Sequence, residues 1–70
     1  SEESFSKHLI FYQKLSKKIY DIQNEIQVSS DEKILKHLND RIDAIEQDQV
    51  RIRKMFPGVD DEIWKGLDQK

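Results

Sequence analysis

Residues 35–56, LKHLNDRIDAIEQDQVRIRKMF, place Leu35, Leu38, Ile42, Ile45, Gln49, Ile52 and Phe56 at spacings that alternate between three and four. On a helix of 3.6 residues per turn these positions form one stripe, the seam that a coiled coil buries. Only Gln49 interrupts its apolar character. A second stripe with the same spacing lies upstream, through Phe5, His8, Tyr12, Leu15, Ile19, Ile22 and Ile26. A lone helix with such a face is marginal in water, so the two stripes predict packing of the helices on each other or on a partner.

The breakers divide the chain. No glycine or proline occurs before Pro57 and Gly58, which arrive together. Upstream of them, Ser29-Ser30-Asp31-Glu32 reads as a helix start. Ser29 is placed to cap the Glu32 amide while Glu32 reaches back, with Val28 as a staple. The pattern predicts a first helix over about 4–28 and a second over about 30–56, each about 40 Å long at ~1.5 Å per residue. So short a connection folds them back as an antiparallel hairpin. Beyond Pro57-Gly58, Asp60 and Asp61 suit a helix N-terminus, and Ile63, Trp64 and Leu67 follow at helical spacing. A short helix over about 60–67 is expected, with Trp64 packed at the open end of the hairpin among Phe5, Leu9, Met55 and Phe56. The expected fold is therefore all-α: a coiled-coil-like antiparallel hairpin of two long helices plus a short C-terminal helix, one domain over 1–70. The chain opens on Ser1 rather than Met, which suggests a fragment of a larger protein.

Composition narrows the function. Charged residues make up 37% of the chain and the formal net charge is −2, so no global attraction to nucleic acid or anionic lipid follows. The absence of cysteine removes thiolate chemistry and fits an intracellular protein, in cytoplasm or nucleus. No apolar run approaches the roughly 20 residues of a membrane span, and the acidic start is unlike a signal peptide. His8 and His37 lie several turns apart in the hairpin, without the spacing of a metal site. A hairpin of long helices with no glycine-rich phosphate loop and no serine beside a histidine and an acid has little to offer catalysis. No enzyme activity, cofactor, metal or small-molecule substrate is expected.

Folding the hairpin sets Ile22 and Ile26 near Leu38 and Leu35, Ile19 and Leu15 near Ile42 and Ile45, Tyr12 near Gln49 and Ile52, and Phe5 and His8 near Phe56. Gln49 either specifies register or partner number, at a cost in stability, or simply hydrogen-bonds Tyr12 or meets solvent. The plainer role is preferred. Lys7, Lys14, Lys17 and Lys18 face the acidic run Asp40, Asp43, Glu46 and Asp48 in this alignment, which favours the antiparallel hairpin. Lys7, Arg51, Arg53 and Lys54 remain as a small basic patch at the open end, which Asp60, Asp61 and Glu62 are expected to neutralise.

The stripes are wider than a two-helix seam needs. Ile10, Phe11, Tyr20, Val28, Ile34, Ala44 and Val50 fall outside it. Unpartnered apolar surface marks interaction sites, and two hairpins packed as a four-helix bundle would cover it. Phe11, Tyr20, Val50 and Trp64 are the candidate interface. The function expected is protein–protein interaction and oligomerisation, by self-association or docking onto partner helices. Binding of nucleic acid by the basic residues of helix one and the end of helix two is the alternative. No recognised nucleic-acid motif supports it, and the aromatic residues do not interleave with the basic ones.

Overall fold

A computed structural model describes residues 2–68. Three helices follow in order: α1 (Glu2–Val28), α2 (Glu32–Met55) and α3 (Asp61–Asp68), with no strand among the described residues. The two long helices pack together over a body 44 Å in its longest dimension, and α3 packs on α1. The boundaries lie within two residues of those read from the sequence.

The start of α2 differs from expectation. Asp31, not Ser29, is the N-cap: its Oδ1 accepts the amides of Lys33 at 2.8 Å and Ile34 at 3.1 Å. Asp31 has extended backbone angles, as an N-cap requires, while the Ser29 amide still donates to the Ile26 carbonyl at 3.4 Å. An aspartate also suits the positive end of the helix better than a serine. α2 ends at Phe56, whose amide donates to the Arg53 carbonyl at 3.1 Å. A tight turn across Pro57 and Gly58 follows, closed by Val59 donating to the Phe56 carbonyl at 3.1 Å. Asp60 then caps α3 by accepting the Glu62 amide at 2.8 Å.

The core has two parts. Near the connection between α1 and α2, Ile22, Leu38 and Ile42 are buried, with Ile19, Ile26 and Ile45 packed on them. Toward the open end, Tyr12, Ile52 and Trp64 are buried, surrounded by Phe5, Leu9, Leu15, Phe56, Val59 and Leu67. Leu15 thus joins the aromatic end rather than the layer of Ile42 and Ile45. Leu35 is only half-buried. The aromatic rings meet edge-on or tilted, Phe5 on Phe56 at 5.1 Å and Tyr12 on Trp64 at 4.8 Å, as ring quadrupoles favour. Met55, expected in this group, is exposed. Its place on α2 turns it away from the seam.

Ion pairing also departs from expectation. Among the described residues every ion pair lies within one helix: Lys7 with Glu3, Lys36 with Asp40, Arg51 with Asp48 and Lys65 with Glu62. None crosses from α1 to α2. The contacts from α2 to α1 are therefore the apolar seam and the hydrogen bonds of Gln49 and Arg53 rather than ion pairs, which agrees with the small worth of exposed pairs. No helix among the described residues is long and apolar enough to cross a membrane.

Candidate interaction surface

Between the two apolar clusters lies a polar layer. Gln49 and Ser16 are 4% and 5% exposed, the buried polar side chains of the described core. The Gln49 amide donates to Ser16 Oγ at 2.8 Å and to the Tyr12 carbonyl at 3.3 Å. Ser16 Oγ donates onward to Asp68 Oδ1 at 2.9 Å. The Tyr12 hydroxyl donates to Asp68 Oδ2 at 3.4 Å and accepts from Arg53 Nη1 at 2.7 Å. All three helices meet in this one network, and among the described residues no buried side-chain nitrogen or oxygen lacks a partner.

Burial pushes the Tyr12 phenol above its ordinary pKa, and the Asp68 carboxylate pushes in the same direction while the Arg53 guanidinium opposes both. The partners of Ser16 are a carboxylate and an amide, which fix the hydroxyl in place. The network's evident work is to tie the last turn of α3 onto the hairpin.

Sequence reasoning reached part of this site. It placed Gln49 against Tyr12, which the structure bears out, although the bond goes to the main-chain carbonyl. It overlooked Ser16 and Asp68. Ser16 stands among Lys14, Lys17 and Lys18 and reads as a solvated position, yet it lies four residues after Tyr12, one turn along the same face. Asp68 falls one residue beyond the expected end of α3.

Above the network a groove of about 490 Å³ opens between α1 and α2. Ser16, Gln49, Arg53 and Asp68 line it together with the apolar Ile19, Tyr20 and Val50. Val50 and Arg53 also border a second hollow of about 310 Å³, which runs on past Lys54 to Pro57, Val59 and Trp64. The two share a flank, so one depression follows α2 toward the open end. Tyr20 and Val50 are 46% and 36% exposed on its rim.

The other candidate residues separate. Phe11 is 51% exposed but stands nine positions before Tyr20, half a turn round the helix, and so belongs to the opposite flank. Trp64, expected as an interface residue, is 3% exposed and belongs to the interior of this chain. Tyr12 and Phe11 are adjacent in sequence but only Tyr12 faces inward.

The four basic residues have different surroundings, with Arg53 and Lys54 bordering one hollow. Lys7 and Arg51 pair with acids of their own helices, and Arg53 turns inward to Tyr12. Of the acids expected to neutralise them, Asp60 caps α3 and Glu62 pairs with Lys65, while Asp61 borders the same hollow as Arg53 and Lys54 without an ion pair among the described residues. Of the histidines, His8 donates from Nδ1 to the Ser4 carbonyl at 2.7 Å and rests on the Phe56 ring at 5.2 Å, while His37 is exposed. No protein-family model matches the chain, and neither a curated protein nor a solved structure matches it.

Proposed function

We propose that this chain is a non-enzymatic interaction module, a helical hairpin that self-associates or docks onto other helices to build a larger assembly. The observation that carries this reading is the apolar surface left outside the fold. Phe11, Tyr20, Val28, Ile34 and Val50 remain exposed after α3 has docked, and they lie along the two long helices rather than at one loop. Apolar side chains left unpartnered along long helices are what helix-packing interfaces use, and Tyr20 and Val50 share one flank of the groove. A standard interface takes about 800 Å² per partner, a modest share of the 5361 Å² this chain exposes.

Sedimentation equilibrium at micromolar concentration tests the proposal. The unmodified chain should sediment above its monomer mass. Val50→Asp places a charge on the exposed flank without touching the core, so it should return the chain to monomer with its far-ultraviolet circular dichroism unchanged. An unmodified chain that stays monomeric throughout would remove self-association.

A further inference from the structure

The interaction reading leaves open which faces meet and in which direction, and the charges along α2 bear on both. Glu46, Val50 and Lys54 stand four residues apart, one above another on the same face of α2. All three border the groove: Glu46 and Val50 its first part, Val50 and Lys54 its second. Among the described residues neither Glu46 nor Lys54 is in an ion pair. The row therefore runs negative, apolar, positive, with Val50 at its centre and each charge about 6 Å along the axis from it.

Such a row is complementary to itself when reversed. In a two-fold interface, each residue ahead of the axis meets the one equally far behind it on the other copy. We infer that the chain dimerises with α2 antiparallel to α2 of a second copy, the two-fold axis passing at Val50. Glu46 then faces Lys54 of the partner subunit, and Lys54 faces Glu46 of the partner subunit. Val50 packs on its own counterpart between the two pairs. A parallel arrangement would set like charges against each other at both places, so the row selects direction as well as face. Arg53 lies on the same border but turns inward to Tyr12, and Asp61 of α3 borders it too, so the positive end of the row is Lys54 itself. The α1 side of the groove contributes Tyr20 and Gln23, which are uncharged and compatible with the pairing. This inference rests on the interaction reading and narrows it to one surface.

The decisive experiment exchanges the charges between chains. Glu46→Lys alone turns both pairs into like-charge contacts, and so does Lys54→Glu alone. Each variant by itself should dimerise about ten-fold more weakly than the unmodified chain in sedimentation equilibrium. An equimolar mixture of the two should recover the original affinity as a heterodimer, because the lysine introduced in one variant then meets the glutamate introduced in the other. Both positions are exposed, so helix content should stay constant. Single variants that dimerise like the unmodified chain, or a mixture no tighter than its components, would overturn the antiparallel arrangement while leaving self-association standing. An unmodified chain that never dimerises would overturn both.

Discussion

Gln49 and Ser16 show how a buried polar pair is held in so small a core. The Gln49 amide donates to the Ser16 hydroxyl, which gives its own proton to Asp68. Removing one member leaves the other short of its nearest partner in the core, which costs more than removing both. Ser16→Ala should therefore lower stability by about 1–3 kcal/mol, and adding Gln49→Leu should recover most of that loss, as read by urea titration. If Ser16→Ala is silent, the network carries no weight. Tyr12 gives a second handle. Its pKa is raised in the folded chain, so the neutral phenol is favoured there. Its contribution is complete below the unfolded phenol pKa of about 10 and is lost as pH rises through the higher folded value. Thermal midpoints measured from pH 9 upward, about one unit below that phenol value, should fall more steeply for the native chain than for Tyr12→Phe. Parallel slopes would show that the phenol does not couple to folding.

Among the elements, α3 is the one whose existence depends most on the others. Eight residues are too few to persist alone, and Trp64 and Leu67 supply its hold on the hairpin. Gly66 sits inside it with open space where a Cβ would stand. Gly66→Ala should stabilise the chain by about 0.5–1 kcal/mol by lowering the entropy the helix loses, raising the thermal midpoint by a few degrees. A lower midpoint would mean that the position serves a contact with something outside this chain. The long helices were readable because their apolar spacing and the absence of breakers agree. The connection was less so, since Ser29, Ser30 and Asp31 are all good caps and nothing local ranks them. What decides is where α1 stops winding, and the Ser29 amide is still bonded to Ile26. The polar tie to α3 was hidden for a related reason. A serine flanked by lysines and an aspartate near the chain's end both look solvated until the helices are folded together.

For the molecule as a whole, the layers of the hairpin were legible because both stripes bury on one side: Ile22 and Ile26 do fall with Leu38, and Phe5 and His8 with Phe56. Charge was the poorer guide, since the lysines of α1 and the acids of α2 form no cross-helix pair among the described residues. Ile42 lies in the purely aliphatic cluster, and Ile42→Asp would bury a carboxylate with no partner. That costs several kcal/mol, comparable with the whole stability of so small a domain, and far-ultraviolet circular dichroism should show loss of helix. Retained helix would place Ile42 nearer solvent than its 9% exposure indicates. The layer of Gln49 and Ser16 has one more consequence. It separates a greasy half near the connection from an aromatic half whose roof is the short α3, and the chain's one tryptophan reports on the roofed half alone. The two halves should yield to denaturant at different concentrations. Tryptophan emission should change at lower urea than helical ellipticity does, so that one protein of 70 residues shows two midpoints. Coincident curves would mean that the polar layer couples the halves instead of dividing them.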